Sequence, residues 1–184
     1  MIRYWIERFP ATLFGPAAAV IALAAQDLAK FSLLRWSGDV LQALLLLAQF
    51  RLWDDLADRE RDRTRHPHRV LVRAESTRPF VIVCLALGTI NLVIAASTGR
   101  TSGVALFAVL NTAFAAWYAW RPAGGSAASS LVLLTKYPSF VLVIAAGAGS
   151  AIPHAALGVV TVYASALAYE IWHDAASPLR FSNS

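Results

Sequence analysis

The sequence predicts an all-α, polytopic membrane protein: a helical bundle of about six transmembrane helices forming one domain over residues 1–184. Hydrophobic residues make up 58% of the chain and charged residues only 15%, which lies far outside ordinary soluble composition. The apolar residues also occur in runs, and a run of about 20 is enough to cross a bilayer. Composition and run length together therefore favour an integral membrane protein.

Six apolar segments are the candidate spans. The third and fourth are uninterrupted, whereas the second is short and continues directly into a charged segment. The fifth is broken by Lys136 and Pro138, which indicates an irregular helix. In chain order the segments are residues 13–25 (extendable to 31), 40–53, 80–97, 103–120, 130–149 and 151–172.

The distribution of basic residues predicts an orientation. With the N-terminus in the cytoplasm, twelve of the 16 Lys and Arg residues lie on the cytoplasmic side and three lie outside. That bias follows the positive-inside rule, and it predicts cytoplasmic N- and C-termini in a bacterial inner membrane. The net charge of +5 is then explained by topology and by anionic headgroups or phosphates. No cluster of interleaved basic and aromatic residues marks a nucleic-acid surface, so nucleic acid is not an expected partner.

The polar segment 51–78 carries four of the seven Asp residues within nine positions: Asp54, Asp55, Asp58 and Asp62. On a continuing helix the last three share one face, and Asp54 flanks the same stripe. Carboxylates that repel one another favour a hard divalent cation, and Mg²⁺ characteristically bridges carboxylates to substrate phosphates. The pattern is thus typical of a metal–diphosphate site. It is equally compatible with a solvated helix end in which the five Arg residues from 59 to 69 pair with the acids.

Two other polar features lie within or beside apolar segments. Lys136 stands inside the fifth segment, where an ionisable group either faces a polar cavity or extends to the interface. Glu170 and Asp174, in the second acidic segment 169–174, are one helical turn apart on the predicted cytoplasmic side. They could hold the other flank of a metal–diphosphate, or they could simply end a helix.

These residues resemble the UbiA superfamily of intramembrane prenyltransferases over nearly the whole chain. The family motif N/D-D-x-x-D-x-x-x-D after the second span is matched by Asp54-Asp55-x-x-Asp58-x-x-x-Asp62. Arg51 and the basic stretch 66–71 are similar to the flanks of that motif. Glu170-x-x-x-Asp174 is similar to the second motif, although Glu replaces its first Asp. The family usually has nine helices, whereas six are predicted here.

The resemblance implies a Mg²⁺-dependent transfer of a prenyl group from an isoprenyl diphosphate to a lipophilic, aromatic or polyol acceptor. It implies catalytic roles for Asp54, Asp55, Asp58 and Asp62, and diphosphate binding by Arg51, Arg69 and Lys136. It assigns Mg²⁺ to the same four aspartates with Glu170 and Asp174. A homo-oligomer or a neighbouring membrane subunit could supply the missing helices.

The short chain leaves a second hypothesis open, in which a catalytically inactive or accessory protein of the same fold binds lipid or a partner. Two other classes fit less well. A phospholipid head-group transferase needs a D-G-x-x-A-R element, but Leu56 follows Asp55. A soluble isoprenyl diphosphate synthase shares the D-D-x-x-D pattern, but six apolar segments argue against it.

Overall fold

All regular secondary structure in the described residues (1–120, 126–148, 152–173 and 178–179) is helical in the computed structural model, which confirms the all-α class. A 3₁₀ turn at Leu28–Lys30 accompanies the α-helices. The helices are α1 Ile2–Arg8, α2 Ala11–Ala25, α3 Leu33–Ala57, α4 Arg59–Arg65, α5 Val70–Arg73, α6 Arg78–Ser97, α7 Thr101–Trp120, α8 Ala127–Leu134, α9 Lys136–Ala148 and α10 Ile152–His173.

Four helical segments of the described chain are long and apolar enough to cross a membrane: α6, α7, α8 with α9, and residues 155–173 of α10. Helices α1 and α2 meet at 70° and would add a fifth if the bent pair is one span. The chain is therefore an integral membrane protein. The number of six spans stays a prediction.

Helix α3 is the long helix that apolarity alone does not identify as a span. Its 25 residues make it about 38 Å long, enough to cross a bilayer. It also carries charged residues near both of its ends, from Arg35 and Asp39 to Arg51, which lower its overall hydropathy. The predicted segment 40–53 thus covers only the apolar middle of a longer helix.

The most polar of the long helices, α3, lies in the interior of the bundle from Gln42 to Asp55, whereas its first turns, with Leu33 and Leu34, are exposed. Helix α3 packs on α2, α6 and α9, and α9 also packs on α7 and α10. Large apolar side chains on the outer helices are exposed, including Leu85 on α6, Val109 on α7 and Leu157 on α10. Because lipid favours apolar side chains, this arrangement places the polar residues of α3 where other helices can satisfy them.

The boundaries of the first and fifth segments reflect local backbone chemistry. The proposed extension of the first segment to residue 31 is wrong, because Gln26 is extended and Asp27 starts the short 3₁₀ turn by accepting a hydrogen bond from Ala29 N at 3.1 Å. The predicted irregularity of the fifth segment is confirmed by a break at Thr135. Pro138 falls in the first turn of α9, where its missing N–H is tolerated.

Three amide side chains from three helices meet inside the apolar core. Asn91 of α6 donates to Gln49 Oε1 at 3.0 Å, and Gln49 of α3 donates to Asn111 Oδ1 of α7 at 2.7 Å. Asn111 in turn donates to Phe107 O at 2.8 Å. Hydrogen bonds of this kind join helices in an apolar medium, so the amides fix how α3, α6 and α7 pack against one another.

Replacing Gly158 with alanine is expected to destabilise the contact between α10 and α2. A Cβ at this position would lie 2.9 Å from the Ala24 Cβ and closer still to the Ala24 carbonyl group, and backbone cannot give way as a flexible side chain can. We expect a loss of about 2 kcal/mol, seen as a lower midpoint in thermal unfolding of the detergent-solubilised protein. Gly38→Ala in α3 is the matched control, because nothing lies within 4 Å of its added Cβ. A neutral Gly158→Ala would contradict this packing.

Candidate functional site

The acidic segment is divided between two helices, whereas the interpretation from sequence treats it as one continuing helix. Helix α3 ends at Ala57, Asp58 is a turn residue with φ −92° and ψ 0°, and α4 begins at Arg59. The chain direction is largely kept, because Asp58 N bonds Asp54 O and Asp62 N bonds Asp58 O, both at 2.9 Å. Asp55 and Asp62 line one cavity, as their shared face predicts. Asp54, which is predicted to flank this face, lines a second cavity.

The first group, which we call the Asp55 cluster, comprises Asp55, Asp62, Tyr4, Arg8 and Arg69. Asp55 accepts hydrogen bonds from Arg8 Nε at 2.9 Å and Arg8 Nη2 at 2.7 Å, and from Tyr4 Oη at 2.9 Å. Asp62 is buried and forms an ion pair with Arg69. Two arginines from distant parts of the chain therefore neutralise two buried carboxylates.

The Asp55 carboxyl, which lies outside the four apolar spans, is held in its charged form. Burial by itself raises its pKa, but the hydrogen bonds from Arg8 and the charge of Arg51 outweigh burial. The pKa of Asp55 consequently lies below its ordinary value. The carboxylate is therefore ionised at neutral pH.

Helix α5, which follows α4 in the chain, forms one wall of the cavity in the Asp55 cluster. Arg59 donates to Ala74 O at 2.7 Å and to Leu71 O at 3.2 Å, which fixes both ends of the short helix. Leu71 is buried with Tyr4, Leu52 and Phe80 in a small apolar group of its own. This packing places α5 beside α1 at the edge of the cavity.

The second group, the Asp54 cluster, joins α3, α7 and α9. Tyr118 Oη and Lys136 Nζ both donate to the Asp54 carboxylate. Lys136 is buried, with 6% of its surface exposed, so it faces a polar partner and does not extend to the interface. The cavity beside this pair is lined by apolar and aromatic residues on its other walls: Phe14, Leu47, Phe50, Tyr137 and Phe140.

Arg51 lies between the two clusters. Its Nη2 is 3.6 Å from Asp55 Oδ1, and its side chain also lines the Asp54 cavity. Its Nε is buried and has no hydrogen-bond partner among the described residues. The two clusters together place four cations, Arg8, Arg51, Arg69 and Lys136, around three carboxylates, Asp54, Asp55 and Asp62. Glu7 at the rim of the Asp55 cavity is exposed and accepts from Val70 N at 3.3 Å.

The remaining acids of the predicted metal set are not gathered with these three. Asp58 lies 3.6 Å from Arg61, toward the surface, and Glu170 lies in the last turn of α10. Asp174 lies outside the described residues. Across the part of the chain that the structure describes, no three Asp, Glu, His or Cys side chains form a metal-ligand group.

The carboxylates as placed do not fit a divalent cation. Asp54 and Asp55 accept hydrogen bonds at both carboxylate oxygens, and Asp62 accepts from Arg69 at one, so each carboxylate is already paired with a basic side chain where a metal would bind. The alternative interpretation from sequence is that arginines 59 to 69 pair with the acids, and three of them do so. The pairs are Arg61 with Asp58, Arg63 with Glu60, and Arg69 with Asp62. A Mg²⁺ site stays a prediction.

Three members of the clusters are not among the site residues predicted from the sequence: Tyr4, Arg8 and Tyr118. Tyr4 and Arg8 are four residues apart, so a short helix at the N-terminus would have placed both on one face. Tyr118 gave no signal, because a Tyr near the end of a membrane span is ordinary for the interfacial aromatic belt. Each of the three donates to an aspartate that the sequence did identify.

Neither a family model, nor a curated protein, nor a solved structure matches this chain. The fold and the site by themselves define a helical integral membrane protein with a buried acidic and basic site. That site lies where α1, α3 and α7 end and where α9 begins.

Proposed function

We propose that this chain is a UbiA-like prenyltransferase that binds the diphosphate of an isoprenyl donor between Arg51 and Lys136. The supporting observation is the unpartnered Nε of Arg51, buried beside a cavity that Lys136 also lines. The Asp54 cavity is lined by two cations, Arg51 and Lys136, and by one carboxylate, Asp54, so an anion in it would meet a local excess of positive charge. Charge-assisted hydrogen bonds to phosphate oxygens suit a guanidinium and an ammonium in this setting.

In this proposal the cationic side chains supply the chemistry at the diphosphate end of the donor. As the allylic C–O bond breaks, the electron pair stays with the diphosphate, and Arg51 and Lys136 stabilise the charge that develops there. The allylic carbocation then forms a bond to the lipophilic acceptor, which gives up a proton. Apolar walls such as Phe14, Leu47 and Phe140 would hold the prenyl chain and exclude water.

The metal does not enter these steps, because the carboxylates as placed are engaged by cations. Mg²⁺ remains the ion that the motif predicts. Its ligands would become available if diphosphate drew Lys136, Arg8 or Arg69 away from the aspartates.

A second candidate is an inactive or accessory membrane protein, and the size of the cavities favours it. Each cavity measures about 10 Å³, which is room for about one water molecule. A diphosphate could enter only after side chains move. In this alternative the ion pairs are structural, and the protein binds lipid or a protein partner without turnover.

Binding of isoprenyl diphosphates to the purified, detergent-solubilised protein tests the proposal. Geranyl, farnesyl and geranylgeranyl diphosphate would be titrated with Mg²⁺ and with a chelator. We expect Arg51→Gln to weaken binding about 10- to 100-fold, as expected for a lost hydrogen bond to a charged group. Arg35→Gln is the matched control, because Arg35 lies near the opposite end of α3 and bonds Ala148 O.

The outcomes separate the two candidates. Binding that Arg51→Gln weakens, followed by release of diphosphate when acceptors are supplied, supports the enzyme. Binding without turnover favours the accessory protein. If none of the three diphosphates binds, with or without Mg²⁺, the prenyltransferase proposal fails.

A further inference from the structure

Helix α1 has two faces of opposite character. Tyr4 and Arg8, four residues apart, point inward to Asp55, and Tyr4 is completely buried. Ile2 and Ile6, also four residues apart, are 78% and 75% exposed. The polar groups of the inward face thus bond the Asp55 carboxylate, whereas the outward face is apolar and no other part of the described chain covers it.

The angle between α1 and α2 indicates how the bare face is oriented. The two helices meet at 70°, and α2 packs along α3, α9 and α10 within the bundle. If α2 runs roughly along the membrane normal, α1 lies close to the membrane plane. Helices that lie in this plane turn an apolar face to the acyl chains and keep cationic residues among the headgroups.

Charged residues near α1 indicate which surface it would meet. Arg3 is exposed and directly follows Ile2. Helix α5, which packs on α1, ends in the exposed Arg73, and Arg65 and Arg78 are exposed in the neighbouring stretches of chain. Exposed cations outnumber exposed acids in these stretches, five to three: Arg3, Arg63, Arg65, Arg73 and Arg78 against Glu7, Glu60 and Glu75. A net positive surface beside an apolar helix face is complementary to an anionic phospholipid surface.

We propose that the outward face of α1 is a membrane-interface surface that seats Ile2 and Ile6 among the acyl chains of an anionic leaflet, with Arg3 on its phosphates. Seated in this way, α1 holds Tyr4 and Arg8 over the cavity that Asp55 and Asp62 line. The proposal does not depend on the prenyltransferase function, because it rests on the placement of α1 and on the exposed charges beside it.

Spin labels on single cysteines test this placement. The native Cys84 would be replaced by alanine, and labels placed at Ile2→Cys or Ile6→Cys in vesicles of phosphatidylcholine with phosphatidylglycerol. Leu85→Cys on α6 is the lipid-facing control and Glu60→Cys on α4 the water-facing one. We expect labels at 2 and 6 to collide with oxygen in preference to a water-soluble nickel chelate, as the label at 85 does.

The anionic part of the proposal has its own readout. Leaving out phosphatidylglycerol, or introducing Arg3→Gln, should raise nickel accessibility at position 6 by at least about twofold. A label at 6 that behaves like the one at 60 would overturn the proposal. So would a label at 6 that neither reagent reaches, since a protein partner would then cover this face. If the label at 6 stays lipid-exposed and its nickel accessibility changes neither without phosphatidylglycerol nor in Arg3→Gln, the anionic surface is overturned as the partner.

Discussion

Under the proposed prenyltransferase function, replacing Lys136 with methionine is expected to reduce prenyl transfer, and the binding of prenyl diphosphate, by at least about 100-fold. Methionine keeps much of the side-chain length and removes the ammonium that bonds Asp54. The same change leaves the Asp54 carboxylate buried beside Tyr118 without its cation. Breaking a buried ion pair from one side costs about 3 kcal/mol, so the thermal midpoint should fall by roughly 6–12 °C.

Two variants separate the loss of function from the loss of stability. In Lys136→Met with Asp54→Asn, the buried charge disappears with its partner, so we expect the thermal midpoint to recover while binding stays weak. Lys30→Met removes the other lysine of the chain, which is 81% exposed and lies 3.8 Å from Asp27, and should change neither. Undiminished diphosphate binding in Lys136→Met would show that the ammonium does not contact the donor.

The outer helices could be predicted closely because lipid selects for uninterrupted apolar sequence. The third and fourth apolar segments match α6 and α7 to within two residues at their starts. Gly99, which has a φ of 68°, supplies the left-handed turn between them. In such segments the apolar run and the helix cover the same residues, so hydropathy alone is sufficient to predict the bounds of the helix.

Helix α3 could not be delimited in this way because both of its ends carry charged residues and only its middle is apolar. Arg35 and Asp39 lie before the apolar middle, and Asp54 follows it, bonded to Lys136 82 positions away. Partners this remote in sequence leave no periodic signal. The helix accordingly extends to residues 33 and 57, well beyond the predicted segment.

The division of the acidic motif has an equally local cause. Consecutive residues on an α-helix point about 100° apart, so the neighbours Asp54 and Asp55 face different helices. The sequence identifies both aspartates but assigns them to a single metal–diphosphate site. Their cations, Arg8 and Lys136, lie 47 and 82 positions away, which is why pairing could not be told from metal binding.

Asp55→Asn is expected to destabilise the protein far more than Asp58→Asn, although both residues belong to the same predicted catalytic motif. The first change removes the charge that neutralises the bidentate Arg8 and accepts from Tyr4. Because Asp55 is buried, the loss should be about 3 kcal/mol, and α1 should detach from the cluster first. Asp58 keeps 27% of its side chain exposed beside Arg61, and its neutralisation should cost less than about 1 kcal/mol.

Thermal unfolding of the two variants, with hydrogen exchange along α1, measures both parts of this expectation. Amides of α1 should exchange faster in Asp55→Asn than in Asp58→Asn, since Tyr4 and Arg8 no longer bond a carboxylate. Activity alone would not distinguish the variants, because both aspartates are predicted to be catalytic. Equal shifts in thermal midpoint would mean that the buried ion pair does not hold α1. Asp55 would then be available to bind a ligand.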